Sequence, residues 1–435
     1  MTIGILGGGL VGLVIGAHLK QPCEVLEADD VPGGHCRSLV ADGYTFDLGG
    51  PHIMFSQNKE TLDYMISLLG ENVVTSRRNN QILYNGRYVK YPFENGLAAL
   101  SPEDRYDCLY HFLYNDHKPG LTFKDWIYAT FGKGIAEKYM LPYNEKIWNV
   151  PADQMSADWV EGRVPRPPAE DIIKSAVGIE TEGYTHQLYF QYPRSGGIEA
   201  LARAFAEKCR SIITRFPVRR VWREGAYWHV SDGKETRRYD RLISTIPIQD
   251  LISALPDVPG DVVRSVNALR FNSLSVVMLG VKSAQLLPYT ALYIPDPGVP
   301  FHRVSFPHNF SDRMVPPGHM AVAAEITTNP GDGFHELDDE TVFARVIDGL
   351  AKLELIDPAT VDFRAICRTK HAYVIRTFDY AQNLAAGIDY LNDLGIVSCG
   401  RNAEFAYINM DEAIRRGRAV ATKINEEVGS GHWQK

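Results

Sequence analysis

The stretch TIGILGGGLVGLVIGAHL places Gly7, Gly9 and Gly12 in a G-x-G-x-x-G spacing, between a short apolar run and a helical pattern beginning near Val11. The chemistry served by that pattern is the binding of a dinucleotide pyrophosphate. The first glycine permits a tight turn and the second lets phosphate oxygens approach the backbone. The third lets the helix pack on the strand, with the anion at the helix N-terminus. A second strand-like run, CEVLEA, ends in Glu27, about twenty residues beyond the first glycine, where an acid can accept both ribose hydroxyls. Two further glycine pairs follow. VPGGHCRS carries Gly33, Gly34 and Arg37, and FDLGGPHIMF breaks an apolar run with Gly49, Gly50, Pro51 and His52. The second pair reads either as a turn with an incidental histidine or as a wall where backbone and imidazole come close to something flat.

These residues need elements to hold them. Ile3 to Leu6 reads as a buried strand, and 58–69, 101–115 and 122–141 carry apolar residues at helical spacing. QILYNGRYVKYPF (81–93) reads as a hairpin turning at Asn85-Gly86. Residues 150–194 are proline-rich and weakly periodic, as in a loop-dominated wall. A helix is expected within 195–209, and a β-meander ending in a buried strand over 218–247. A second sheet is expected from 273–281, 321–326 and strands near 361–377. The stretch 395–424 reads as a buried strand, a loop and a long helix.

The chain of 435 residues is long enough for two or three lobes with a large core. A net charge of −8 and a pI near 5.9 argue against sequence-independent nucleic-acid binding, which needs a basic footprint. The six cysteines are scattered without a C-x-x-C pair and read as reduced thiols, with no metal site expected. No apolar run approaches a membrane span. The first strand begins so early that no room is expected for a secretory leader. A cytoplasmic protein is the expectation.

The order of glycine fingerprint, acid-tipped strand, glycine pair with arginine and short hairpin into D-x-G resembles the amine oxidase, protoporphyrinogen oxidase and UDP-galactopyranose mutase superfamily of flavoproteins. The resemblance implies FAD as cofactor, with Gly33, Gly34 and Arg37 beside its phosphates and ribityl chain. It also implies an α/β fold, with a Rossmann-like FAD-binding domain, a helical insertion and a second, mixed β-sheet substrate domain. The corresponding boundaries are 1–57, 195–270 and 385–435 for the discontinuous FAD domain. Residues 58–194 would form a mainly helical substrate- and nucleotide-binding domain, and 271–384 a β-sheet substrate domain.

Within that superfamily the chain resembles the UDP-galactopyranose mutases most fully, as a divergent member. GGPHIMFSQNKETLDYM is similar to the segment beneath the flavin and maps Gly50 and His52. NGRYVKYPFENGLAAL is similar to an N-G-x-x-x-x-[FL]-P-x-N segment and maps Asn95. LPYNEKIWNVPADQMSADWVEGRVPRP maps Tyr143 and Trp148 to the aromatics of a nucleotide pocket, and Arg163 and Arg166 to its arginines. PFHRV maps Arg303, HAYVIR maps Tyr373, and GRNAEFAYINMDEAI maps Gly400, Arg401, Tyr407, Met410 and Asp411. The chain departs from the family at Phe405, which replaces a tyrosine, and at Phe55, which replaces a histidine. The second arginine of the R-x-P-V-R motif is shifted by one, to Arg166.

The resemblance implies a pyranose–furanose mutase acting on a nucleotide diphosphate sugar. In it N5 of reduced FAD is the nucleophile at the anomeric carbon, and there is no net redox. Arg303 and Arg401 would take the diphosphate, Tyr143 and Trp148 the base, and His52 and Asn95 the flavin-side wall. Such a substrate needs an aromatic platform, where a base stack contributes about 1–3 kcal/mol, and arginines in fork geometry for its phosphates. A homodimer is compatible with this class. The alternative is an FAD-dependent oxidoreductase of the amine oxidase or protoporphyrinogen oxidase kind, with Tyr184, Tyr189, Phe190 and Tyr192 caging a small substrate.

Overall fold

Four consecutive apolar residues read as a strand covered on both faces. In the computed structural model, which describes residues 1–161, 163–164, 166, 168–181 and 188–430, Ile3–Leu6 is fully buried at the centre of a five-stranded parallel sheet. Arg241–Ser244 and Cys23–Leu26 flank it, with Val397–Ser398 and Ile212–Ile213 at the edges. The chain therefore returns twice from elsewhere to complete one sheet. Helices Leu10–His18, Glu199–Ala206 and Met410–Gly429 pack together on one face. The apposition is close enough that a Cβ on Gly417 would lie 2.9 Å from Val14 Cγ1. The other face is covered by the expected meander, Arg220–Glu224, Tyr227–Ser231 and Thr236–Tyr239, together with helices Ile248–Ala254 and Gly260–Ala268.

The second sheet has seven strands in the order Val361–Val374, Phe271–Lys282, His319–Thr328, Arg303–Ser305, Ala291–Tyr293, Asn80–Tyr84 and Arg87–Lys90. The last two form the expected hairpin, with Asn85 and Gly86 at φ 48° and 73°. The hairpin joins the sheet through a parallel pairing of Asn80–Tyr84 with Ala291–Tyr293, so the sheet is mixed. Helix Asp339–Lys352 seals one of its faces, burying Val342, Val346 and Leu350.

Helices Pro102–Leu113 and Phe123–Ile135 start where their caps dictate. Ser101 accepts from the Asp104 N–H, and Thr122 and Asp125 close a reciprocal capping box. The helix expected over 122–141 differs in the structure. It breaks at Gly132, whose φ is +71°, passes through a π-helical turn at Ala136–Met140, and continues as Leu141–Trp148. The cause is close packing, because a Cβ on Gly132 would lie 2.1 Å from the His111 carbonyl oxygen. Such π-turns re-aim the side chains that follow. Residues 150–194 are also more ordered than a loop wall. They contain helix Ala169–Ala176 and strand Tyr189–Pro193, which pairs antiparallel with Val73–Arg77 and buries Phe190 and Tyr192. Tyr184 and Pro165 lie outside the described residues.

Candidate active site

A single cleft of about 1130 Å³ runs from the glycine turn of the parallel sheet to the aromatic residues of the helical region. At its first end the walls are backbone. Gly7 has φ +101°, and Gly9 caps the Leu10–His18 helix with open space where its Cβ would be. A Cβ on Gly12 would lie 1.9 Å from the Gly7 carbonyl oxygen, so this glycine presses the helix onto the turn and does not line the cleft. Gly33 donates its N–H to the Gly8 carbonyl at 2.8 Å, and a Cβ on Gly34 would stand 3.1 Å from the Gly9 Cα. The two glycine segments thus form one cradle. Glu27 closes it, its carboxylate accepting from the backbone N–H groups of Gly8 at 2.8 Å and Asp29 at 2.9 Å, and burial holds its pKa above the usual value. Open backbone at a helix N-terminus with an acid beyond it fits the pyrophosphate and ribose of FAD.

The middle of the cleft is walled by the segment that follows Asp47. Asp47 is buried and accepts from the Ser38 and Tyr192 hydroxyls at 2.8 Å each, from the Ile198 N–H at 3.0 Å and from the His52 N–H at 3.4 Å. Burial nevertheless pushes its pKa up to about 6. Its role is to tie the loop down, and the loop places His52 on the cleft. The His52 ring shares a 2.7 Å hydrogen bond between Nδ1 and the Gly50 carbonyl. Burial, reinforced by Arg401 and Arg303, lowers the His52 pKa to about 4, and that of neighbouring His35 falls to about 3, chiefly by burial. Gly400, at φ +104°, and Met410, the first residue of the last helix, complete this wall.

At the far end the walls are side chains. Arg303 and Glu325 are directly opposed across two antiparallel strands and form a two-pronged pair, Nε to Oε1 and Nη2 to Oε2, both at 2.5 Å. Nη1 of Arg303 has no partner among the described residues. Gly50 sits over this pair, since a Cβ there would lie 2.7 Å from Glu325 Oε2, and so does not itself line the cleft. Arg401 donates to the carbonyls of Ile408 and Ala372 at 3.0 and 2.9 Å, between the rings of Tyr373 and Tyr407. It has no acidic partner among the described residues, so its charge is uncompensated. Arg163 lies over the Tyr407 ring and donates to the Tyr407 carbonyl. Tyr143 stacks on Tyr139 at 5.3 Å. Trp148 is ringed by Trp159, Tyr373 and Tyr407, and its buried Nε1 has no partner among the described residues.

Several expected residues lie elsewhere. Arg37 pairs with Asp29, two residues past Glu27, at 2.9 Å and does not line the cleft. Arg166 lies over Trp126 at 5.2 Å in a separate cavity of about 310 Å³. Asp411 is turned back to accept from the Ser56 hydroxyl at 2.7 Å. Asn95 donates to Thr181 at 2.5 Å, and its neighbour Glu94 lines the cleft instead. Of the aromatic cage, Phe190 and Tyr192 are fully buried under Phe310 and Tyr189 is exposed, so none of the three lines the cleft. Sequence reading missed Arg78, Glu94, Tyr139, Tyr293 and Glu325. The lone acid in AVAAEI was the available signal for Glu325, since an unpaired carboxylate in a buried strand demands a cation.

Residues 5–68 match the family model described as an NAD(P)-binding Rossmann-like domain, and residues 166–425 that of flavin containing amine oxidoreductases. The chain is similar to the crystal structure of a reduced UDP-galactopyranose mutase, with a TM-score of 0.88 and 26% identity, covering 97% of this chain and 95% of that one. A candidate protoporphyrinogen oxidase from Exiguobacterium sp. 255-15 shares the fold at a TM-score of 0.76 and 18% identity, covering 98% of this chain and 99% of that one. An uncharacterized protein of Methanocaldococcus jannaschii is 33% identical over 95 residues, 21% of this chain, and the match spans about a quarter (24%) of that protein. Among the described residues no helix is long and apolar enough to cross a membrane, and no cluster of three or more potential metal ligands occurs.

Proposed function

The chain belongs to the flavin containing amine oxidoreductase family and is an FAD flavoprotein, and we propose that it is a nucleotide-sugar mutase interconverting pyranose and furanose forms without net redox. The observation that carries this reading is the second half of the cleft, where an uncompensated arginine stands among aromatic rings on a path continuous with the dinucleotide cradle. A nucleoside diphosphate has both complements, a flat base and two phosphates. The likeness to a UDP-galactopyranose mutase over nearly the whole of both chains supports the same reading.

Gly9, Gly33 and Gly34 would hold the pyrophosphate of FAD and Glu27 its ribose, with His52, Gly400 and Met410 along the ring. The bound cofactor, when reduced, supplies the nucleophile for the anomeric carbon. The protein's own part is to bind, orient and stabilise charge. Arg401 and Nη1 of Arg303 hold the diphosphate as its bond to the sugar breaks, and Tyr143 and Trp148 take the base. Arg163, Tyr373 and Tyr407 close the chamber around it. His52 is neutral at pH 7, so it offers a hydrogen bond at the ring without adding a third cation. The redox alternative has less support, because Phe190 and Tyr192 of the expected aromatic cage are buried away from the cleft, Tyr189 is exposed, and no lysine lies among the described residues of the cleft.

The test is to reduce the purified holoenzyme anaerobically with dithionite, add UDP-galactose and follow furanose formation. Turnover is expected only with reduced flavin. Bleaching of the oxidised flavin by an amine, with no binding of UDP, would sink the mutase reading.

A further inference from the structure

Four acids with ionisable side chains are buried in the described structure, Glu27, Asp47, Glu94 and Glu325. Three of them are satisfied. Glu27 takes two backbone N–H groups, Asp47 takes four donors, and Glu325 takes the Arg303 fork. Glu94 is the exception. It is 2% exposed and lines the cleft, yet its carboxyl has no side-chain or ion-pair partner among the described residues and meets only its own backbone N–H. A buried carboxyl left in that state is costly unless something else completes its hydrogen bonding. The space it lines is the chamber end of the cleft.

The local geometry says which part of the chamber. Glu94 lies in the turn Phe93–Asn95, three residues after Tyr91, whose ring packs 4.8 Å from Tyr293. Tyr293 is the cross-strand partner of Arg303. The Glu94 wall is therefore on the Arg303 side, whereas Trp148 is enclosed by Trp159, Tyr373 and Tyr407. Tyr143, edge-on to Tyr293 at 5.4 Å, borders both walls; with the base on the Trp148 side of Tyr143 and a phosphate at Arg303, the sugar is the part of the ligand that reaches Glu94.

We propose that Glu94 is a specificity-determining residue that accepts a hydrogen bond from a hydroxyl or amino group of the bound sugar. The proposal rests on the nucleotide-sugar reading given above. It identifies the substrate class as sugars that turn such a donor toward this wall. Burial pushes the carboxyl's pKa up to about 7, so a donor that favours the ionised form binds better as pH rises through that value.

The experiment measures dissociation constants of the holoenzyme for UDP, UDP-galactose and its 2-amino analogue UDP-galactosamine, by calorimetry at pH 6, 7 and 8. The readout is the sugar's contribution, the UDP constant divided by that of each UDP-sugar. The terminal phosphate of UDP titrates near pH 6, so the pH arm is read against the variant: from pH 6 to pH 8 the ratio is expected to rise several-fold more in the native protein than in Glu94→Gln. In Glu94→Leu the ratio is expected to fall about tenfold, with UDP itself within about twofold. Glu94→Gln is expected to keep part of the ratio and only the pH dependence that UDP's phosphate contributes. Retention of bound FAD, read from visible absorbance, checks that each variant is folded. A larger ratio for the amino sugar identifies an amine as the donor, and a larger ratio for galactose a hydroxyl. An unchanged ratio with the same pH profile in the native protein and Glu94→Gln would overturn the proposal, as would an equal loss for UDP, which would place the contact on the base. Failure of UDP to bind the native protein would overturn the nucleotide-sugar reading first, and this proposal with it.

Discussion

The two ends of the cleft are built from different materials. At the cradle end, Gly7, Gly9, Gly33 and Gly34 present backbone, and one side chain, Glu27, finishes the wall. At the chamber end, Tyr143, Trp148, Arg303, Tyr373 and Arg401 arrive from distant points of the chain, on helices, strands and loops of both sheets. A backbone surface is set by local conformation, and every change there acts on a few adjacent residues. A side-chain surface is set by packing, so its cations need supports such as Glu325 that never touch a ligand. On the reading proposed above, the cradle end serves the cofactor and the chamber end the substrate.

That contrast can be broken by experiment, beginning with the cradle. Gly12→Val should be the most damaging change, since even a Cβ would meet the Gly7 oxygen at 1.9 Å; the expected outcome is protein that is insoluble or free of FAD, read from yield and visible absorbance. Glu325→Ala breaks a buried pair and leaves Arg303 uncompensated, at a cost of about 3–5 kcal/mol, measured as a fall in thermal stability of the holoenzyme. Gly9→Ala separates binding from folding. Nothing lies within 4 Å of the new Cβ, so apoprotein stability should be unchanged while FAD affinity falls at least about tenfold, about 1.4 kcal/mol; equal losses in both would refute the cradle's assignment. Trp148→Phe keeps an aromatic ring and removes the unpartnered Nε1–H. UDP affinity should drop by about 1 kcal/mol with FAD retained.

A pH dependence tests the chamber wall without disturbing either surface. Glu94's pKa is raised from 4.5 to about 7 in the fold, so its contribution to stability is full below about pH 4.5 and is lost as pH rises through 7. Melting temperature should therefore fall from pH 5 to pH 8 more steeply in the native protein than in Glu94→Gln, and parallel curves would refute it.

The same contrast explains how much could be read in advance. The parallel sheet, the meander, the Asn85-Gly86 hairpin and the glycine cradle follow from short-range signals: apolar runs, φ-permissive residues and fixed spacing. Gly7, Gly9, Glu27 and Gly34 consequently lie along one wall of the cleft. Arg37, Arg166 and Asn95 share a property that local patterns do not carry, a nearer partner contributed by folding: Asp29, Trp126 and Thr181. The break at Gly132 is of the same kind, since its cause is a carbonyl twenty-one residues earlier in sequence, on His111. Glu325 could have been inferred as needing a cation, but the choice of Arg303 depends on strand register.

The antiparallel pairing of Val73–Arg77 with Tyr189–Pro193 closes the helical region at its base. The excursion that carries Glu94, Tyr143 and Trp148 leaves and re-enters the molecule at neighbouring points, so its removal would leave ends that already meet. Apart from Asn80–Tyr84 and Arg87–Lys90, which belong to the seven-stranded sheet, the helices of this segment can be lengthened or shortened without re-threading either sheet.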